Sequence, residues 1–294
     1  MLFRSGFHRD SDGWWHPGSW RDSRVGYAGG RFAFDVNVVW VPAALCAVIT
    51  IDSTLRALGI AGVPEAQGLE AAAQTWRGTA RHFEVALAPA EVAARVRARL
   101  GALPAAERLH WEQVLMRSGV PADTLRFLAL ALDSAGHPIP VMSTDPAMWL
   151  LREHLSPERE TELLRPFLAP YPLGLLVDGV GPVVANDAYA DPPVWAMFER
   201  DRYHSPRVVW GREVNVLVSA LAASLAGGRD TLAATVLGRT LDAVARSGLK
   251  QAELWSYQLE SDTLRPLRYG TSSDVQLWNL TDLAVQFLLA RLSL

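Results

Sequence analysis

The chain has 294 residues, of which half are hydrophobic and a fifth are charged. This composition supplies enough apolar side chains for a sizeable core and excludes a wholly disordered chain. The 28 basic and 31 acidic residues nearly cancel, so neither a nucleic-acid footprint nor a polybasic membrane patch is indicated. We therefore expect one globular domain, residues 1–294, with no nucleic acid and no membrane among its partners.

The cysteine count and the N-terminal residues further restrict the class of protein that the sequence can encode. Cys46 is the only cysteine, which excludes an internal disulfide and a cysteine-based zinc site. It lies in an apolar run, AALCAVITI, where we expect a buried thiol. The start, MLFRSGFHRDSDGWW, lacks the apolar core of a signal peptide, and no uninterrupted apolar run reaches the roughly 18 residues of a spanning helix. A cytoplasmic location is the default expectation, with an extracytoplasmic one open if the chain is truncated at its N-terminus.

Helical periodicity dominates the chain after about residue 35. Pro157 follows Ser156, which predicts a helix N-cap there. No β-hairpin alternation recurs, so the predicted fold class is all-α. Apolar residues at i, i+3, i+4 and i+7 predict helices over 36–59, 65–84, 89–101, 104–117, 121–133, 145–154, 157–168, 208–226, 229–247 and 275–292.

Long loops between these helices hold many of the 11 tryptophans. The predicted loops span 10–34, 134–146, 169–206 and 249–274. Flat aromatic faces flanked by hydrogen-bonding groups suit a sugar ring, although a scattered tryptophan is equally often a core residue. Consecutive helical hairpins with aromatic loops gathered at one end describe an α/α toroid whose pocket lies at its mouth.

Four segments resemble the amylo-α-1,6-glucosidase domain of glycogen-debranching enzymes. Residues 19–45, SWRDSRVGYAGGRFAFDVNVVWVPAAL, are similar to T-W-M-D-A followed by G-K-P-V-E-I-N-A-L-W-Y-N-A-L. Residues 203–217, YHSPRVVWGREVNVL, are similar to Y-H-x-G-x-V-W, and AELWSYQ at 252–258 to S-E-I-F-D. SSDVQLWNLTDLA at 272–284 is similar to C-x-x-Q-A-W-S-x-A-E. The ordered set implies the six-hairpin (α/α)6-toroid glycosidase superfamily.

Two positions depart from the debranching pattern, namely Arg21 in place of methionine and Pro206 in place of glycine. The first motif also begins at residue 19, whereas it normally follows several helices. The expectation is therefore a toroid that is incomplete at its N-terminus, the C-terminal portion of a longer protein. Such a ring would expose an apolar flank, which predicts a partner chain or a homodimer.

The resemblance implies an inverting glycoside hydrolase acting on an α-glucoside or a related oligosaccharide. Asp22 would be the general acid that protonates the leaving oxygen, and Glu253 the general base that activates water. Pairing of Asp22 with a neighbouring arginine, or of Glu253 in a core salt bridge, would explain either residue structurally.

The same segments contain the expected substrate-binding residues. Asp35 also fits a helix cap, and Trp40 also fits a helix core. The full set is Trp20, Arg31, Asp35, Asn37, Trp40, Tyr203, His204, Trp210, Trp255, Gln276 and Trp278.

No motif implies a metal or a cofactor. The seven histidines show no zinc-binding spacing, and neither a P-loop, a dinucleotide fingerprint nor G-x-S-x-G occurs. Two other functions stay open: a non-catalytic toroid that binds carbohydrate or acts as a scaffold, and a sugar lyase or phosphorylase.

Overall fold

The computed structural model describes residues 6–13, 15–63, 68–201, 203–228, 231–269 and 281–291. A π-helical turn, Asp35–Trp40, leads into the first α-helix, and a 3-10 helix spans Thr79–Phe83. The α-helices are α1 Val41–Ala57, α2 Leu69–Arg77, α3 Pro89–Gly101, α4 Ala105–Ser118, α5 Pro146–Arg152, α6 Pro157–Leu168, α7 Pro192–Arg200, α8 Gly211–Ala226, α9 Thr231–Ser247 and α10 Thr281–Arg291. The strands are β1 His8–Arg9, β2 Trp15–His16, β3 Phe32–Ala33, β4 Glu84–Leu87, β5 Leu125–Leu128, β6 Ala131–Leu132, β7 Pro138–Ile139, β8 Met142–Ser143, β9 Leu176–Val177, β10 Gly181–Pro182, β11 Ala185–Asn186, β12 Val208–Trp210, β13 Leu254–Glu260 and β14 Thr263–Arg268.

The prediction of an all-α (α/α)6 toroid is wrong. About 51% of the chain is helical and 16% is strand, so the fold is mixed α/β. The strands form small antiparallel sheets of two or three strands each, among them β12-β13-β14, β3-β6-β7 and β4-β5. The strands of these sheets lie both in predicted loops and in segments where the periodicity predicted a helix.

One predicted helix, 121–133, is replaced by the strands β5 and β6. In β5, Phe127 is buried and pairs with Val85 of β4, while the neighbouring Arg126 is exposed. The segment LRFLALAL fits both a period of two and a helical period, and the tertiary pairing with β4 decides the outcome.

The predicted loop 249–274 contains the longest hairpin in the described residues, β13–β14. Its two turn residues, Ser261 and Asp262, have φ values of 46° and 67°, which is the geometry of a two-residue hairpin turn. Such turns are normally predicted from Asn-Gly or Asp-Gly in the sequence, and Ser-Asp is not a comparable signal. Helix α7 was also missed, within the predicted loop 169–206.

Most other predicted helices are confirmed to within a few residues. α3 and α6 have the predicted bounds, and the Ser156 hydroxyl accepts the Arg159 backbone N–H at 3.3 Å, as an N-cap should. α8 carries the largest set of buried residues of these helices and packs against α5, α9 and α10. The main core spreads from α8 and α9 to α3, α6 and the hairpin strand β13.

Helix α1 is an exposed apolar element. Its residues include none that is buried, and Ile51 is 53% exposed. Together with the π-helical turn it forms a helix, Asp35–Ala57, that is long and apolar enough to cross a membrane by length and composition alone. This segment has no uninterrupted apolar run of about 18 residues, because polar residues such as Asn37 and Asp52 interrupt it. The apolar flank was expected at the open side of an incomplete toroid, and since the fold is not a toroid, the exposed α1 does not test that expectation.

The prediction of a buried Cys46 thiol is wrong, because Cys46 is exposed on α1. We expect an aromatic disulfide reagent to titrate one thiol per native chain at nearly the rate seen in denaturant. A Cys46→Ser variant should lose the signal completely. Slow or absent reaction of the native chain would show that α1 is covered in solution.

Candidate functional site

An aromatic cluster of Trp20, His204 and Trp210 joins two distant parts of the chain. The ring centroid of Trp20 lies 5.7 Å from that of His204 and 5.8 Å from that of Trp210, both in edge-to-face geometry. The His204 and Trp210 rings are nearly parallel, with centroids 6.1 Å apart. The Trp210 indole N–H donates to the Tyr203 carbonyl at 2.6 Å, which fixes the chain around β12. Three residues predicted for sugar binding are therefore assembled here.

Asp22 lies two residues after Trp20 on the same loop. Asp22 is exposed, and its backbone N–H donates to the Ser19 carbonyl at 3.0 Å. Its φ of 41° lies in the left-handed region, which Asp visits more readily than most residues and which is enriched at functional sites.

Glu253 lies immediately before β13, the central strand of the sheet β12-β13-β14. It is half-buried and directly precedes Leu254, whose strand partner is Trp210. The Glu253 carbonyl accepts the Gly211 backbone N–H at 2.8 Å, so the segment is tied to the start of α8. The segments that carry the two predicted catalytic carboxylates therefore meet at one aromatic cluster, through Trp20 and Trp210, although 231 positions separate Asp22 from Glu253 in sequence.

Arg21, next to Asp22, is fully buried. Its guanidinium forms an ion pair with Asp145 at 3.0 Å and donates to the Val184 carbonyl at 2.9 Å. The Arg21 carbon Cζ also lies 4.4 Å from the centre of the Trp20 ring, which is a cation–π distance. The residue that departs from the debranching pattern thus anchors the backbone from which Asp22 and Trp20 project.

Asp35 is fully buried beside this ion pair. Its carboxyl accepts from the hydroxyls of Ser19 and, at 3.0 Å, of Tyr27. Burial, and next the charge of Asp145, raise the pKa of Asp35 to about 6. The Asp35 carboxyl is therefore hydrogen-bonded in the interior. It is not a helix cap, because no side-chain cap hydrogen bond is present at the start of its helix.

Glu213, on the first turn of α8, is the third buried carboxyl of the group. The Thr144 hydroxyl donates to it at 2.9 Å, and the Arg212 guanidinium binds its other oxygen. Burial raises the pKa of Glu213 to about 7; Arg212 opposes that rise, and the charge of Asp145 adds to it. We call Arg21, Asp35, Asp145 and Glu213 the buried charge cluster.

The remaining predicted residues occupy different environments. Trp255 is fully buried, and its indole N–H donates to the Val180 carbonyl at 2.9 Å, so no face is open to a sugar. Asn37 is also fully buried and donates to the Ala33 carbonyl at 2.7 Å. Trp40 is 40% exposed where the π-helical turn ends, and Tyr203 is 49% exposed. Arg31 is half-buried, and burial with the nearby charges of Arg24 and Arg9 lowers its pKa.

Gln276 and Trp278 lie outside the described residues. Among the residues that are described, no three His, Cys, Asp or Glu side chains are grouped so that they could hold a metal ion.

Sequence reasoning missed Asp145 and Glu213. Asp145 precedes Pro146, so it reads as an ordinary helix start, and its side chain instead binds Arg21. Glu213 interrupts an apolar helical stretch, VVWGREVNVL, and an acid on an apolar face is a weak signal of a buried, functional or paired carboxyl.

A cavity of about 820 Å³ lies beside the aromatic cluster. Tyr203 and Val208 line it, so the segment between them borders both features. Asp22 and Glu253 are not among its lining residues.

No protein family model, no curated protein and no solved structure matches this chain. The fold and the site define a mixed α/β protein in which the buried charge cluster contacts the aromatic cluster through Arg21 and Trp20.

The buried carboxyls predict that the free energy of unfolding falls as the pH rises. A carboxyl whose pKa is raised in the folded state binds more protons folded than unfolded, so stability declines between its ordinary pKa near 4 and the raised value. With pKa values of about 6 for Asp35 and about 7 for Glu213, the decline should run from about pH 4 to pH 8. At roughly 1.4 kcal/mol per unit of pKa, it should amount to a few kcal/mol.

Denaturant titrations at pH 5 and pH 8 measure this decline. The double variant Asp35→Asn, Glu213→Gln should flatten it, whereas Asp123→Asn, at an exposed position, should leave it unchanged. A slope that survives in the double variant would assign the pH dependence to other groups.

Proposed function

We propose that the protein is an inverting glycoside hydrolase that acts on an α-glucoside or a related oligosaccharide. The observation that carries the proposal is the contact of Trp20 with Trp210, because Asp22 follows Trp20 by two residues and Glu253 directly precedes Leu254, the strand partner of Trp210. Inverting hydrolysis needs two carboxyl groups around the scissile bond with room for a water molecule. An aromatic surface on these two segments suits the apolar C–H face of a sugar ring.

The chemistry follows from the two positions. As the general acid, Asp22 gives a proton to the glycosidic oxygen as the bond to the anomeric carbon breaks. Glu253 takes a proton from a water molecule whose oxygen bonds to that carbon from the opposite face. The products are an alcohol and a free sugar of inverted configuration, and the protons return to their starting sites through solvent.

The surroundings of Asp22 suit a positioned acid. The two residues before it, Trp20 and Arg21, are held by ring contacts and by the Asp145 ion pair, and the Asp22 backbone N–H donates to the Ser19 carbonyl, so the backbone that leads into Asp22 is fixed. A catalytic group that is positioned before the substrate binds lowers the entropic part of the barrier.

The test is hydrolysis by the full chain, followed by proton NMR. α- and β-linked glucosides and oligosaccharides are incubated with the protein, and the anomer that forms first is read before it mutarotates. The proposal predicts release from an α-linked substrate with the β-anomer appearing first. The α-anomer first would exclude inversion, and no release from any α-linked substrate would contradict hydrolysis.

One observation favours the second candidate, a carbohydrate-binding protein without turnover. The cavity of about 820 Å³ is not lined by Asp22 or Glu253, so its ligand need not meet those carboxylates. Saccharide binding measured by calorimetry with no product in the NMR assay would favour this function.

A further inference from the structure

The cavity beside the aromatic cluster has the size and lining of a ligand site. Its volume of about 820 Å³ lies within the 300–1,000 Å³ typical of small-molecule sites. Its walls come from α3, α4 and α7 and from the segments that include β12, β13 and β14.

One wall of the cavity is a fixed group of aromatic rings. Trp111 of α4 lies 4.7 Å from Tyr171 and 6.0 Å from Tyr257 between ring centroids, both in edge-to-face geometry. All three are largely buried and line the cavity. At the open side, Tyr203 and Tyr269 are in contact at 5.8 Å. The cavity therefore offers aromatic surface both at its base and at its rim.

Arg99 contributes a hydrogen-bond donor that the described protein does not use. Its side chain is 7% exposed, Nε donates to Asp187 at 2.9 Å, and the guanidinium lies 5.3 Å from the centre of the Trp195 ring. Within the described residues, the Nη1 atom of Arg99 is buried and has no hydrogen-bond partner. A buried donor without a partner is costly, so a ligand acceptor reaching Nη1 would be favoured.

The charges around the cavity decide between an anionic and a neutral ligand. Arg99 and Arg207 line it together with the acids Glu107, Glu199 and Asp201, so the acids outnumber the cations. Arg207 is ion-paired with Glu107, and Arg99 with Asp187 outside the lining. No net positive field is left for a carboxylate or a phosphate, whereas mixed donors and acceptors on an aromatic wall suit a polyhydroxylated ring.

The cavity is coupled to the aromatic cluster through one short segment. Asp201 lines the cavity, and its carboxylate binds His204 Nδ1 at 2.9 Å. The His204 ring in turn contacts Trp20 and Trp210. A chain of sugars with one ring at the cluster would reach the cavity with its next rings.

We propose that this cavity binds the non-reacting part of a neutral oligosaccharide, so that the substrate has several sugar rings. Arg99 and Glu199 supply polar contacts, and Trp111 and Tyr203 supply aromatic ones. The inference rests on the proposed function in taking the bound saccharide as the substrate; binding itself does not depend on turnover.

The experiment is calorimetric titration of the Asp22→Asn chain with maltotetraose, cellotetraose and α-linked tetragalacturonate. One neutral tetrasaccharide should bind, and the galacturonate, which carries a carboxylate on each ring, should bind at least tenfold more weakly. Tyr203→Ala and Glu199→Gln should each raise the Kd of the neutral ligand about tenfold, as expected for the loss of one contact to a charged or aromatic group. Glu112→Gln, exposed on the same helix as Trp111 and outside the lining, is the matched control.

The outcomes separate the two proposals. If both cavity variants weaken the binding of a neutral tetrasaccharide and the unmodified chain shows no turnover, the cavity assignment is supported and the hydrolase proposal is wrong. If the unmodified chain shows turnover and the Kd is unchanged in both cavity variants, the hydrolase proposal is supported and the cavity assignment is wrong. Tighter binding of the galacturonate, or no binding of either neutral ligand, would also overturn it.

Discussion

Replacing Asp22 by Asn or Glu253 by Gln is expected to lower kcat for an α-linked oligosaccharide by a factor of about 10²–10⁴. Each substitution keeps the size of the side chain and removes its ability to transfer a proton, and a positioned acid or base contributes a factor of this order. Steady-state assays of both variants and the unmodified chain measure the effect. KM should change little, because each amide still fills the same space.

The leaving group distinguishes the two roles. Fluoride leaves a glycosyl fluoride without being protonated. The Asp22→Asn variant should therefore hydrolyse this substrate at close to the normal rate, while the Glu253→Gln variant should stay impaired. Asp123→Asn and Glu70→Gln, two exposed positions outside the site, are controls for the chemistry of substitution. Full activity of Asp22→Asn on the oligosaccharide would remove Asp22 from the mechanism.

The sequence predicted local helices well and the architecture poorly. Helix α6 was predictable because Ser156, Pro157 and the apolar period agree on where it starts. The strand β5 was not, because its pairing with β4 depends on residues some forty positions away. The hairpin β13–β14 was not, because Ser261 and Asp262 carry no strong turn signal.

The candidate site shows the same division. Trp20, His204 and Trp210 were selected by their motifs, and the structure brings them together. Asp145 and Glu213 gave no usable signal, because their importance lies in which charge each one meets after folding. Trp255 matched a motif but is a core residue, since a motif letter does not reveal on which side of a strand the ring lies.

The Arg21–Asp145 ion pair should be essential for stability. Replacing Asp145 by Asn leaves the Arg21 guanidinium buried without its closest countercharge, and breaking a buried pair in this way typically costs about 3–5 kcal/mol. Denaturant titration measures the free energy of unfolding of the variant. The double variant Arg21→Met, Asp145→Leu removes both charges, and its loss should be clearly smaller than the sum of the two single losses.

The pH dependence of that loss tests the buried charge cluster as a unit. At pH 5, Asp35 and Glu213 are largely protonated, so the ion pair with Asp145 is the main partner of Arg21. At pH 8 both are largely ionised, and Glu213 acts on Arg21 through its charge. The Asp145→Asn variant should therefore lose more stability at pH 5 than at pH 8. An equal loss at both values would mean that these carboxyls do not take over the neutralisation of Arg21, and the cluster would reduce to a single ion pair.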